Sequence, residues 1–426
     1  MRKIRATLIF AVLLSVLCIG CGKKPEQTAT TPTIAPTLTP EATPEPTATP
    51  EPTATPAPTP TPMGANLPEG ITLKNTYGEA FGRIGTCITR NQLISMDAKE
   101  QVEAQFNSIT MENEMKPDAI LGNTPKLFTV DEAKVAGYVI PKSYKEETVP
   151  QLNFSATDAA LKFCEKNDLG LRGHTLVWHS QTPTWFFHVD YDKKKELVSP
   201  EVMDARLEFY IRTVMGHVYD HESGERLYAW DVVNEYVHAS NAGWKEVYGQ
   251  EGLTPSFVKK AFQIADDVLD QYGLQDKVSL FYNDYNTYYD YLKIQKLVAF
   301  INEEEWICDG IGMQSHLSNN SPSASTFLDT VQKFLDDGYE IQITEMDSQS
   351  SSDTVQAKYY YEIMSGLLKK KMEGANITGI TYWGLSDANS WRSGKKPLLF
   401  KVIGVPKISY YRVLEAYVDS AFYTKE

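Results

Sequence analysis

Two glutamates, Glu235 closing the run WDVVNE and Glu345 inside ITEMD, have the surroundings expected of catalytic carboxylates. Cleaving an acetal between two sugars needs one carboxylic acid to protonate the departing oxygen. It also needs a second carboxylate to attack the anomeric carbon or to activate water. Asn234, beside Glu235, carries an amide suited to a sugar hydroxyl, while His316 and Asp347 can keep Glu345 ionised and oriented. Trp178, Trp383 and Trp391 offer flat faces on which sugar rings stack. A lone glutamate in a strand is commonly an ion-pair partner and a lone tryptophan a core residue, so the weight rests on the combination. A metal site is the competing use of His174, His179 and His316, but these stand in separate segments without HExxH or comparable spacing. No cofactor is expected.

Such groups must be carried by elements that bring distant segments to one place. Short apolar or β-branched runs predict strands at 80–89, 107–114, 170–179, 228–235, 278–284, 310–317, 340–347 and 377–387. Each begins apolar and most finish with groups capable of chemistry: Glu112 and Asn113, His174 and His179, Asn234 and Glu235, Asn283 and Asp284, Gln314 and His316, Glu345, then Trp383. Amphipathic stretches fill the gaps. The clearest has Thr254 as its expected N-cap, Pro255 as its first helical residue, Phe257, Ala261, Ile264 and Val268 on one face, and Gly273 as terminator. Asp97 with Glu100 predicts a variant capping box for a helix carrying Val102 and Phe106. Strand then helix, eight times over, predicts a (β/α)8 TIM barrel, in which strand ends converge on one face. A doubly wound open sheet is the alternative. It would usually carry a Gly-rich phosphate loop after its first strand, and none follows residue 89.

The 426 residues carry a formal net charge of −14, with 42% apolar and 23% charged side chains, the balance of a soluble globular protein. An acidic chain of this kind is a poor partner for nucleic acid, whose affinity comes from clustered Lys and Arg. Arg2, Lys3 and Arg5 precede an apolar run from about Ala6 to Gly20, the order of a secretory signal and shorter than the roughly 20 residues of a spanning helix. Gly20–Cys21 resembles the site at which bacterial lipoproteins are cleaved and diacylated on cysteine, although Cys18 stands where that pattern usually has leucine. Residues 25–62 hold 12 of the 23 prolines and 13 threonines, repeat EPTATP, and have no aromatic residue. That composition predicts an extended spacer. The expected organisation is a signal segment 1–21, a Pro/Thr-rich disordered linker 22–62 and a barrel 63–426. Cys87, Cys164 and Cys308 are too few for a disulfide framework and are expected as buried thiols, with one disulfide possible.

Taken together, FNSITMENEMK (106–116), LRGHTLVWHSQTPTW (171–185), WDVVNE (230–235), YNDYN (282–286), GIGMQSH (310–316), ITEMD (343–347) and YWGLSDANSW (382–391) resemble family 10 of the glycoside hydrolases, the endo-1,4-β-xylanases, in that family's order. The resemblance implies that Glu235 is the acid/base and Glu345 the nucleophile of a retaining, cofactor-free hydrolysis of xylan and xylo-oligosaccharides. Asn234 would bind the 2-hydroxyl; His316, and beyond it Asp347, would position Glu345, and Gln314 would lie beside them. His174, Trp178, Trp383 and Trp391 would wall that subsite, with Glu112, Asn113, Lys116 and Gln181 binding sugars toward the non-reducing end. A β-1,4-glucanase of a related barrel family and a non-catalytic surface carbohydrate-binding protein are the alternative readings. The chain departs from the pattern at Pro117, where the family usually has tryptophan, and in the long stretch 118–152. The expected setting is extracellular, a monomer tethered to the outer face of a bacterial membrane through lipidated Cys21.

Overall fold

The computed structural model describes residues 64, 66–318, 321–392 and 394–424. The expected signal segment, Cys21, the spacer and the start of the barrel at Met63 lie outside the described residues. Eight parallel strands close a barrel: β1 Arg83–Ile88, β2 Ser108–Met111, β3 Gly170–Trp178, β4 Leu227–Asn234, β5 Ser279–Asp284, β6 Gly310–Met313, β7 Glu340–Gln349 and β8 Ile377–Tyr382. They pair in sequence order, and β8 pairs with both β7 and β1, which leaves no edge. Every residue of β2 and β6 is buried, as a strand covered on both faces must be. All eight predicted strands are therefore present, several trimmed at their ends.

Each strand is followed by a helix: α1 Met96–Gln105, α2 Ser155–Lys166, α3 Pro200–Asp220, α4 Ser256–Tyr272, α5 Tyr291–Ile301, α6 Ala324–Asp336, α7 Asp353–Met372 and α8 Ile408–Val418. Two predicted helix starts are corrected. The cap of α1 is Ser95, whose hydroxyl accepts from the Ala98 amide, so the predicted box residue Asp97 lies inside the first turn, where its charge meets the helix dipole. Phe106 ends that helix in extended backbone and is buried there. In α4, Pro255 is the cap and the helix begins at Ser256. The Glu251 carboxylate, not Thr254, accepts from the Ser256 amide at 3.0 Å. Gly273 terminates α4 as predicted, in the left-handed conformation (φ 65°) that glycine adopts without a Cβ clash.

The long stretch after Lys116 folds into a short helix Pro117–Leu121, a helix Val130–Val135 and an antiparallel pair of strands, Leu127–Thr129 with Thr148–Pro150. It is fixed to α3 through Glu146, which accepts from Arg206 Nε at 2.7 Å. Cys87, Cys164 and Cys308 are buried free thiols, so none of them forms the possible disulfide. Among the described residues, no helix is long and apolar enough to cross a membrane.

Candidate active site

The chemistry gathers where the strands end. Glu235 directly follows β4 with its backbone in the left-handed region (φ 61°), uncommon for a residue with a side chain, and its amide donates to the Asn283 carbonyl at 2.8 Å. Pairing between β7 and β8 slips between Ile343 and Met346, the stretch that contains Glu345, and slips between neighbouring strands recur near His174 and Asp231. Irregularities of this kind re-aim side chains out of a regular ladder.

The two carboxylates are held by different partners. Glu235 accepts from Trp178 Nε1 and from Gln314 Nε2, each at 2.8 Å. Glu345 accepts from Asn283 Nδ2 at 2.8 Å, has His316 Nε2 at 3.2 Å, and lies 4.0 Å from His174 Nδ1. Asn283, fully buried, also bonds the Asn234 amide at 2.9 Å and accepts from the Thr344 hydroxyl at 2.6 Å, so one side chain links the residue before the first glutamate to the second glutamate. Gln314 lies 3.1 Å from the same Asn234 amide. Gly312 makes room for this arrangement, since a Cβ there would stand 2.3 Å from Asn283 Oδ1.

These partners push the carboxyls in opposite directions. Burial lifts Glu235 above the ordinary carboxylate range and the nearby Glu345 charge lifts it further, with the Gln314 and Trp178 hydrogen bonds opposing. Burial would also lift Glu345, but the His316 hydrogen bond and the His174, His316 and Lys116 charges outweigh it and hold this carboxyl down at about 2. His316 itself is raised to about 9, because the carboxylates of Asp347, 3.1 Å from Nδ1, and of Glu345 outweigh its burial. The two environments therefore push one buried carboxyl toward holding a proton and its neighbour toward ionisation, a division that suits acid–base chemistry.

Further out, Asp347 accepts from Trp391 Nε1 at 2.9 Å and from Arg392 Nη1 at 2.7 Å. Trp391 is 56% exposed and meets the His316 ring edge-on at 5.0 Å. Trp383 is buried and packs edge-on against His174 at 5.4 Å. Asp231 holds the Nδ1 side of His174 at 2.9 Å and is itself paired with the buried Arg172. Lys116 Nζ lies over the Trp178 ring at 4.8 Å and donates to Asn113 at 3.1 Å, and burial lowers its pKa against the pull of Glu345, Glu112 and Glu235. Burial raises Glu112. Gln181 bonds Asp118 Oδ2 at 3.2 Å instead of any member of the glutamate network. His179 is pushed down to about 4 by burial and by the Lys245 and His238 charges.

Asp231 and Arg392 belong to this network without having been read from the sequence as candidates, and Asn283, read there as a chemistry-bearing strand end with no assigned role, links the two glutamates. Their signal was present in the runs YNDYN, WDVVNE and NSWR. A cleft of about 850 Å³ opens at the opposite end of the barrel, lined by Lys74, Arg83, Asn107, Asp168, Gly170 and Arg226. It holds none of this chemistry.

Residues 72–416 match the model of glycosyl hydrolase family 10. Endo-1,4-β-xylanase A of Butyrivibrio fibrisolvens is 44% identical over 349 residues, covering 82% of this chain and 85% of that protein. A bifunctional endo-1,4-β-xylanase of Ruminococcus flavefaciens is 35% identical, covering 80% of this chain and 34% of its own length. Among solved structures, the CBM22-1–GH10 modules of Clostridium thermocellum endo-1,4-β-D-xylanase 10B, complexed with xylohexaose, superpose with a TM-score of 0.69 at 30% identity, covering 81% of this chain and 67% of that one. The endo-1,4-β-xylanase of Caldicellulosiruptor owensensis gives 0.64 at 29% identity, covering 80% and 99%.

Proposed function

The chain belongs to glycosyl hydrolase family 10 and is an endo-1,4-β-xylanase, and from that premise we propose that it cleaves internal β-1,4-xylosidic bonds of xylan with retention of configuration. The observation that carries this reading is the opposed electrostatics of two neighbouring carboxyls, Glu235 shifted upward by burial and Glu345 held down at about 2 by its cationic partners. In the first step the Glu345 carboxylate attacks C1 of the xylosyl unit while Glu235 gives its proton to the departing oxygen, leaving a glycosyl ester on Glu345. In the second, Glu235 takes a proton from water as that water attacks C1. The ester bond breaks, and both carboxyls return to their starting states. His316, carrying its own charge between Asp347 and Glu345, favours the ionised nucleophile before attack and the leaving carboxylate after it.

Asn234 is assigned to the 2-hydroxyl of the reacting sugar, and Gln314 to orienting the acid/base. Trp383, Trp178, His174 and Trp391 wall that sugar, and Lys116, Glu112, Asn113 and Gln181 serve the non-reducing side. The working unit is a monomer, secreted and tethered outside the cell through Cys21.

Substitution of each glutamate separates their roles. Glu345→Ala should abolish turnover of every substrate, since no glycosyl-enzyme can form. Glu235→Ala should lose roughly 10²–10⁴ of its xylan cleavage, the usual contribution of general acid catalysis. With an aryl xylobioside bearing a low-pKa phenol it should show a burst, and azide should rescue turnover and yield a β-glycosyl azide. An α-anomer as first product, followed by NMR before mutarotation, would mean inversion and overturn the double displacement.

A further inference from the structure

His238 stands three residues beyond Glu235, and its amide donates to the Glu235 carbonyl at 3.2 Å. Its ring bridges two acids: Nδ1 lies 2.7 Å from Asp284 Oδ1 and Nε2 3.1 Å from Asp290 Oδ2. A ring bonded to carboxylates at both nitrogens donates from both, and so is an imidazolium. Tyr285 stacks on its face with centroids 4.1 Å apart.

Asp284 is fully buried, and its remaining partners are the Tyr282 hydroxyl and the Tyr285 amide. The Asp284 carbonyl accepts from the Gln314 amide, and the Gln314 side chain donates to Glu235, so this aspartate is one residue away from the acid/base carboxyl. Removing the imidazolium would leave a buried negative charge beside Glu235.

We propose that His238 is a positioning residue for the acid/base: by neutralising Asp284 and tying the segment after Glu235 to Asp290, it sets the pH at which Glu235 gives up its proton. This rests on the assignment of Glu235 as acid/base. The groups facing His238 come from several elements. Asp284, Tyr282 and Tyr285 lie on or just after β5, and Asp290 precedes α5 paired with Lys293 at 2.6 Å. His179 follows β3, and Lys245 lies on the helix Trp244–Tyr248. Lys245 is a further cation that senses Asp284, and burial already lowers it. His238 is the one in direct contact. Its own burial disfavours the charge, and Asp284 and Asp290 restore it and leave the ring above the ordinary histidine value.

The test is the pH dependence of kcat/KM on an unactivated xylo-oligosaccharide. His238→Gln should move the alkaline limb upward by about 0.5 unit or more, because an uncompensated Asp284 repels a second negative charge on Glu235. The acid limb, set by Glu345, should stay in place. Should His238→Gln fail to fold, His238→Asn, a shorter uncharged amide at the same place, should move the same limb in the same direction. An alkaline limb that stays at its wild-type position, or moves down, in the folded variants overturns the proposal. Glu235→Ala, assayed with azide and an aryl xylobioside, separates the two failures. If that variant keeps the alkaline limb, the acid/base assignment falls. If it loses the limb while the His238 variants leave it unmoved, only the role of His238 falls.

Discussion

Glu345 and His316 form one electrostatic unit, and its consequences for pH can be worked out from the directions of their shifts. Glu345 is depressed from its ordinary 4.5 to about 2, so its contribution to stability is present above 4.5 and is lost as pH falls through about 2. His316 is raised from 6.5 to about 9, so its contribution is fully present below 6.5 and is lost as pH rises through about 9. Denaturant unfolding across pH 6.5–9 should therefore show wild-type stability declining, and His316→Gln should flatten that decline. Parallel slopes in the two proteins would count against the ion pair. Trp391 touches the same unit through its Nε1 bond to Asp347 and its edge on His316. Xylose lacks the hydroxymethyl group of glucose, so the wall proposed at Trp391 would stack on one sugar and obstruct the other. Trp391→Ala should weaken xylan hydrolysis and narrow the preference for an aryl xylobioside over the aryl cellobioside by about 1–3 kcal/mol, the range for small steric differences in a pocket. Unchanged discrimination would remove Trp391 from the specificity wall.

Elements differ in how plainly a sequence announces them. The eight barrel strands were legible because burial on both faces writes them as apolar runs, and because a barrel collects polar groups at one end of each. The strand pair Leu127–Thr129 and Thr148–Pro150 was not legible: each strand has three residues, and Leu127 and Thr129 are exposed, which leaves no alternation to detect. The cap of α1 was misplaced because Asp97 and Ser95 both suit a helix start, and only the bond from the Ala98 amide distinguishes them. Asn283 shows a similar limit within the site. An asparagine at a strand end looks like any satisfied polar group until its two donors are seen on Asn234 and Glu345. The inserted stretch also makes an energetic prediction. Arg206 is fully buried and its partner Glu146 is 22% exposed, so Arg206→Ala removes the cation and strands a mostly desolvated carboxylate. Loss of one partner of such a pair typically costs 3–5 kcal/mol, and the partial exposure of Glu146 places the expectation at the lower end, about 3 kcal/mol by denaturant unfolding. A loss below about 1 kcal/mol would show that the insertion is held by its apolar contacts instead.

On the scale of the whole chain, the proposed catalytic groups and the proposed address lie far apart in sequence: the candidate site residues run from Glu112 to Trp391, while the lipidation candidate is Cys21. Two properties of the amino-terminal residues fit the proposal that they serve location. The apolar run from Ala6 to Gly20 is shorter than the roughly 20 residues of a spanning helix, so anchoring would have to come from acyl chains. Stable membrane attachment takes two lipid signals, which a diacylated cysteine supplies. The Pro/Thr-rich residues 25–62 have no aromatic side chain with which to stack on a sugar, and their composition is that of a spacer. Cys21→Ala should consequently move the protein from the membrane fraction to the medium while kcat/KM on soluble xylo-oligosaccharides stays at the wild-type value. Retention in the membrane fraction would mean that something other than acylation of Cys21 holds the enzyme there. Release with a fall in activity per molecule would mean that the amino-terminal residues contribute to catalysis after all.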